Sequence, residues 1–358
     1  MIRRARRSAC LLIPFCILIG CGPSVARPGP IAPAPAAAPR IAVERLDGIA
    51  LSLYFEDAAR DLTYERMLDD IVAIGARHVS LTVQWAQTDV RASALAPHAT
   101  ETTPDATVRR VMRAARARGL SVMVFPIVWV EKRAMGEWRG TLAPTDEAAW
   151  WRSYRAFILH YAGLAAAEGA DLFSVGSEFA SLEDREARWR ALIAEVRGVF
   201  SGALLYSANW DHYAEVPFWD ALDAIGLTGY YRLSEQLDPS QAELTAAWTT
   251  IRDRLLAWRA RVGRPLVFTE LGYPSLDGAA YSPWDYTTGR AADPEEQRRC
   301  LAAFAAVWRD VPDLAGVFFW NAFGPRDGQN TWYTFWGKPA EAEVKAWLIH
   351  RVAQAAKN

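Results

Sequence analysis

Eight short apolar runs, each followed by a stretch with helical spacing, constrain this chain more than any other feature. They read Ile49–Phe55, His78–Trp85, Ser121–Trp129, Leu172–Glu178, Ala203–Trp210, Ala224–Tyr231, Leu266–Glu270 and Gly316–Trp320. Each is short and β-favouring, and together they are predicted as strands. Strict alternation of strand and helix argues for a parallel sheet, and eight units favour a closed barrel. The competing architecture is an open doubly wound sheet. Against it, no Gly-rich phosphate fingerprint follows the first strand. The expectation is an α/β protein, a single-domain (β/α)8 TIM barrel over residues 41–358.

The helix signals are local. Thr63 caps a run with Tyr64, Met67, Leu68, Ile71 and Ile74 at helical spacing, closed by Gly75. Thr103-Pro104 reads as an N-cap with proline at the first helical position. Thr145 opens a helix with Trp150, Tyr154, Phe157, Ile158 and Tyr161 on one face, and a charged helix covers about 183–199. Only a short helical or irregular piece is expected near Val216–Leu222. Longer loops at 130–144, 272–292 and 321–337 follow strands three, seven and eight, so they fall on one face of the barrel.

Two of the strands end in a carboxylate. Arg264-Pro-Leu-Val-Phe-Thr-Glu270 and Asp171-Leu-Phe-Ser-Val-Gly-Ser-Glu178 are built alike. Burying an unpaired charge is costly, so a glutamate at a buried strand end needs a reason. One reason is structural, a pairing with a nearby arginine. The other is chemical, because the strand C-termini form the active-site face of such barrels. Two such residues point to a carboxylate pair across a pocket, the arrangement glycoside hydrolysis uses. The other strand-closing residues are Trp85, Trp129, Asn209, Trp210, Tyr230, Tyr231 and Trp320. Hydrogen-bonding groups among flat apolar faces suit a neutral polyol such as a sugar. The chain has 16 tryptophans, most of them expected in the core.

Other chemistries find little footing. Net charge is −1, so nothing points to nucleic acid. No His or Asp cluster has metal-ligand spacing, no G-x-S-x-G elbow occurs, and no cofactor is expected. Cys300 is the one cysteine beyond Cys21, which leaves no disulfide framework; it is expected as a small buried residue of a helix.

The N-terminus reads as an address. Arg3, Arg4, Arg6 and Arg7 precede an apolar segment, Cys10–Ile19, too short for a comfortable membrane span. It ends in Leu18-Ile19-Gly20-Cys21, which resembles a bacterial lipoprotein signal, cut before a cysteine that is then lipidated. Residues 1–21 are therefore expected to be a signal peptide ending at Cys21, with Cys10 and Cys16 lost. Residues 22–40, rich in Pro and Ala, are expected to be a tether. Gly22 follows Cys21, and no Asp is there to suggest inner-membrane retention. The expected location is the outer membrane or cell surface, with the lipid as the only membrane contact and the barrel as a monomer.

A barrel with one Glu ending strand four and another ending strand seven resembles the clan A glycoside hydrolases, most closely the β-mannanases of glycoside hydrolase family 113. The Gly-Ser-Glu178 end, the Phe-Thr-Glu270-Leu-Gly-Tyr end and the closing Gly337-Lys338-Pro339-Ala340 turn carry the resemblance, over about residues 45–354. It implies a retaining hydrolase of β-1,4-linked mannan or manno-oligosaccharides, with Glu178 as general acid/base and Glu270 as nucleophile. It implies Trp320 as the floor of the subsite for the reacting sugar, and Tyr230 or Tyr231 as the hydrogen-bond donor to the nucleophile. Asn209, Trp210, Ser177, Trp129 and Trp85 are further candidates for substrate contact. Many clan members carry Asn directly before the acid/base; here that position is Ser177, which leaves the sugar open. The alternatives are a clan A glycosidase acting on β-glucan or β-galactan, and a lipid-anchored carbohydrate-binding barrel without catalysis.

Overall fold

The computed structural model describes residues 45–54 and 56–355. The expected signal peptide, Cys21 and the Pro/Ala tether lie outside the described residues.

The described chain is a closed barrel of eight parallel strands, each hydrogen-bonded to its neighbours in sequence, with the eighth paired to the first. The strands are β1 (Gly48–Ser52), β2 (His78–Gln87), β3 (Ser121–Val130), β4 (Leu172–Ser177), β5 (Ala203–Ala208), β6 (Ala224–Thr228), β7 (Leu266–Leu271) and β8 (Leu314–Ala322). The helices are α1 (Tyr64–Ala73), α2 (Asp105–Ala117), α3 (Glu147–Ala167), α4 (Glu186–Val199), α5 (Gln241–Val262), α6 (Pro294–Trp308) and α7 (Ala340–Ala355). Between β5 and β6 the chain makes only two 3₁₀ turns, Tyr213–Glu215 and Trp219–Ala221.

Two-residue periodicity sorts the core into two layers. Met123, Phe125 and Ile127 of β3 join Leu172, Leu205, Val267 and Phe318 in a cluster that fills the barrel. The alternate residues Val122, Val124 and Val128 face the helices, in the larger shell between sheet and helices. That shell absorbs much of the tryptophan: Trp150, Trp189, Trp248, Trp308 and Trp347 are fully buried. Trp150 stacks on Tyr154 at 4.9 Å. Cys300 is buried on α6 with its thiol free.

Three helix starts differ from the expectation. The side chain of Asp146, not Thr145, caps α3 by accepting from the Ala149 N–H at 2.8 Å. α2 begins at Asp105, and the Thr103 hydroxyl is spent on the carbonyl of Leu53. α4 begins at Glu186 rather than near 183, because Glu183 turns inward and is buried.

Candidate active site

Register shifts near the ends of β4 and β7 aim the two glutamates. On β7, Leu227 pairs with Phe268 but Thr228 pairs with Glu270, so Thr269 is an extra residue. Without it, Glu270 would share the outward face of Phe268. The Thr269 hydroxyl is held by the Ser207 hydroxyl at 2.6 Å and donates to the Leu227 carbonyl at 3.0 Å. On β4, Ser174 pairs with Leu205 and Ser177 with Ser207, again one residue too many. Gly176 falls in this irregularity, and a Cβ there would lie 2.7 Å from the Tyr154 hydroxyl. Only glycine fits.

Glu178 itself has φ 58°, a left-handed conformation that costs a non-glycine residue energy. Its neighbours hold it there. The Glu178 N–H donates to the Ser207 carbonyl at 2.8 Å, and the Phe179 N–H donates to the Tyr206 hydroxyl at 2.8 Å. That hydroxyl in turn donates to buried Glu183 at 2.6 Å, whose other oxygen meets His212 Nδ1 at 2.5 Å. Burial raises the Glu183 carboxyl above its ordinary range, against the pull of these bonds.

Glu178 and Glu270 are both buried and line one cleft of about 760 Å³. Arg139, on a 3₁₀ turn in the loop after β3, donates to Glu178 Oε2 at 2.5 Å. The Tyr230 hydroxyl donates to Glu270 Oε2 at 2.8 Å, and Glu270 Oε1 is buried without a partner. Burial raises the Glu270 carboxyl to about 7, with the Glu178 charge adding to the effect. Arg139 and the Tyr230 bond pull the other way. Burial also raises Tyr230, so its phenol stays protonated and remains a donor.

Aromatic faces make up much of the remaining wall. Trp320 packs on the barrel core and presents its other side to the cleft, and the Trp320–Asn321 peptide is cis. Trp210 stacks on exposed Trp284 at 5.7 Å, with ring planes 15° apart. Trp129 lines the cleft with His98 edge-on at 5.3 Å. Asn209 is there too, donating to Asp211 at 2.6 Å.

Three candidates lie elsewhere. Tyr231 is buried against Trp210 and Trp248, with its hydroxyl unpartnered, so the donor to Glu270 is Tyr230. Trp85 packs outward on Phe157 and His160 of α3, because it shares the face of Val79, Leu81 and Val83; Gln84 takes the inward position. Ser177 is fully buried, its hydroxyl has no partner, and it does not line the cleft.

Sequence reasoning passed over Tyr54, Gln84, Arg139, Tyr286 and Tyr333, all of which line the cleft. Tyr54 and Gln84 were within reach of alternation: Tyr54 stands two residues after Ser52, and Gln84 two after Thr82. Arg139, Tyr286 and Tyr333 come from irregular loops with no such signal.

The model of Glycoside Hydrolase Family 113 matches residues 56–338. Among solved structures, a family 113 β-mannanase from Alicyclobacillus acidocaldarius in complex with ManMIm matches at TM-score 0.76 and 26% identity, over 88% of this chain and 100% of its own. A second family 113 β-1,4-mannanase matches at TM-score 0.75 and 23% identity, over 86% of this chain and 99% of its own. A β-glucuronidase from Faecalibacterium prausnitzii, at TM-score 0.58 and 13% identity, covers 86% of this chain and 49% of its own. At their identities these last two show the barrel fold alone. A search of curated proteins found no match. With the family match running from the loop after β1 to the turn before α7, this chain belongs to glycoside hydrolase family 113.

Proposed function

We propose that this enzyme cleaves β-1,4-linked mannan or manno-oligosaccharides with retention of the anomer, by double displacement. Glu178 is the general acid/base and Glu270 the nucleophile. The observation that carries the reading is the pair of buried glutamates on one aromatic-walled cleft, at the ends of β4 and β7. Retaining glycosidases need two carboxyls about 5 Å apart, one to attack C1 and one to trade protons with the leaving oxygen and then water. The mannan specificity is supported by family membership and by likeness to the Alicyclobacillus β-mannanase. Trp320 offers a flat face for the reacting sugar.

The experiment is hydrolysis of a panel of mannan, β-glucan and β-galactan, followed by NMR in the first minutes. The expected outcome is release of manno-oligosaccharides whose new reducing ends are initially β. Cleavage of another polymer in preference to mannan overturns the specificity, and an initial α-product overturns the double displacement.

We propose further that the enzyme is exported and anchored through a lipid on Cys21. The support is the Leu18-Ile19-Gly20-Cys21 string after a basic, apolar leader. Cys21→Ala is expected to release the protein from the membrane fraction or to block its processing. A wild-type protein that is soluble and carries no lipid removes the idea.

A further inference from the structure

Of the two glutamates, only Glu178 has a left-handed backbone, and part of what holds it there lies outside the cleft. The next residue, Phe179, gives its N–H to the Tyr206 hydroxyl at 2.8 Å, and that hydroxyl gives its proton to Glu183 Oε1 at 2.6 Å. Neither Tyr206 nor Glu183 lines the cleft. We propose that Tyr206, oriented by Glu183, is a positioning residue for the acid step: it fixes the peptide that follows Glu178 and so aims the Glu178 carboxyl at the glycosidic oxygen. The inference rests on the reading of Glu178 as general acid/base.

Two tyrosines of the outer shell grip the end of β4. The Tyr154 hydroxyl, on α3, donates to the Val175 carbonyl at 2.7 Å, and the Tyr206 hydroxyl, on β5, takes the Phe179 N–H. These bonds bracket residues 176–178. Gly176 lets both rings close in, since a Cβ there would lie 2.7 Å from the Tyr154 hydroxyl and 3.0 Å from Tyr206 Cε2. Inside the bracket, the Glu178 N–H donates to the Ser207 carbonyl at 2.8 Å. A non-glycine residue at φ 58° persists only where its surroundings over-determine it, and the Tyr206 bond is one of those constraints.

Glu183 gives that bond its direction. A phenol hydroxyl has one proton and can accept as well as donate. To accept from the Phe179 N–H it must point its own proton elsewhere, and Glu183 is the acceptor that draws it away. Burying a carboxyl is costly unless it is hydrogen-bonded, and Glu183 is only 1% exposed. Its second oxygen meets His212 Nδ1 at 2.5 Å, on the loop after β5 that also brings Asn209 and Asp211 to the cleft. Burial raises the Tyr206 phenol, with the Glu183 charge adding to the effect, so the hydroxyl stays a donor. A bare ring would fill the space against Trp189 and Phe218, 5.2 and 5.3 Å away. The hydroxyl and the buried acid serve a bond, not the packing.

A fault in the aim of Glu178 has a signature of its own. A sugar alcohol is a poor leaving group and needs a proton from an acid within hydrogen-bond reach of its oxygen. Dinitrophenolate leaves without one. The value of kcat/KM reports the steps up to the glycosyl-enzyme, so the later need for a base does not enter it. A misdirected Glu178 therefore slows an oligosaccharide and spares a dinitrophenyl β-mannoside. General loosening of the site, or displacement of Glu270, slows both.

The test is the ratio of kcat/KM on mannopentaose to kcat/KM on dinitrophenyl β-mannoside, for wild type, Tyr206→Phe, Glu183→Met and Glu183→Gln. The ratio does not depend on the fraction of active enzyme. A misplacement of about 1 Å can cost on the order of a hundredfold. Tyr206→Phe is therefore expected to lower the ratio about tenfold or more. Glu183→Met, which removes the acceptor and keeps the bulk, is expected to lower it too. Glu183→Gln keeps an acceptor oxygen and is expected to recover part of the loss. An unchanged ratio in a folded Tyr206→Phe overturns the proposal, whether activity is kept or lost equally on both substrates. If a thermal melt shows Tyr206→Phe unfolded, the ratio for Glu183→Met decides in the same way. Glu178→Ala run alongside separates the two failures. If its ratio equals that of wild type, the acid/base reading falls and takes the proposal with it. If its ratio drops while that of Tyr206→Phe does not, the proposal alone falls.

Discussion

The Tyr230 hydroxyl donates to Glu270 Oε2 at 2.8 Å, and the other oxygen of that carboxyl has no partner. A nucleophile needs its negative charge, and this bond is the one side-chain donor the protein supplies to it among the described residues. Hydrogen bonds to charged groups are worth about 1.5–3 kcal/mol. Tyr230→Phe should therefore lower kcat/KM by about tenfold or more. It should also move the acid limb of the profile to higher pH, because the lost donor favours the ionised form. Rate profiles from pH 4 to 9 check both; an unchanged limb would mean that the bond does not act on the nucleophile.

Glu270 also makes a stability prediction. Its carboxyl sits near 7 in the folded chain, against about 4.5 when unfolded. Between those values the folded state binds more protons, so stability falls as pH rises through the window. Below it both states are protonated and the cost is absent. Glu270→Gln removes the ionisation, so its Tm should exceed wild type by a few degrees at pH 8 and differ little at pH 4. A Tm gain that does not depend on pH would remove the electrostatic explanation.

How much of this was legible follows from strand parity. β3 reads Met123, Phe125 and Ile127 into the barrel, and the same parity carries Trp129 to the cleft. Phe318 and Trp320 of β8 repeat the pattern. The same rule places Trp85 outward, on the face of Val83, yet its position at the apparent end of the strand hid this because β2 runs on to Gln87. Parity fails where a strand is irregular. Without the shift at Thr269, Glu270 would point outward with Phe268, and nothing in Phe-Thr-Glu announces an extra residue. Tyr230 and Tyr231 lie beyond the last residue of β6, where alternation no longer tells neighbours apart. Arg139 was invisible for a third reason: it sits in a loop with no period, and only tertiary packing brings it to Glu178. The structural reason first considered for a buried glutamate, an arginine partner, turns out to apply to Glu178, inside the cleft rather than in place of it.

Trp320 gives a prediction about binding. Its ring is half-buried, with one face on the barrel core and the other toward the cleft. Losing a stacked face costs on the order of 1 kcal/mol or more, so Trp320→Ala should lose about tenfold in kcat/KM. Trp320→Phe keeps a smaller ring and should recover part of it. Thermal melts run alongside distinguish a lost platform from a damaged core. Full activity in a stably folded Trp320→Ala would return the residue to packing alone.

The last prediction separates the roles of the two glutamates. A nucleophile attacks the anomeric carbon, and no property of the leaving group replaces it. An acid donates a proton to the departing oxygen, and a leaving group that is already acidic needs no such help. Glu178→Ala should therefore be nearly inactive on manno-oligosaccharide, yet still form the glycosyl-enzyme from a dinitrophenyl β-mannoside. The second step should then stall, because no base activates water. Azide needs no base and fits the space the carboxylate leaves. It should restore turnover and give a β-mannosyl azide, since attack comes on the face that Glu178 serves. Glu270→Ala should be inactive on both substrates, and any rescue by azide should give the α-azide, because azide then stands in for the nucleophile itself. Product anomers assigned by NMR decide the matter. An α-azide from Glu178→Ala would reverse the two roles. Wild-type activity on oligosaccharide in both variants would take the chemistry away from this pair altogether.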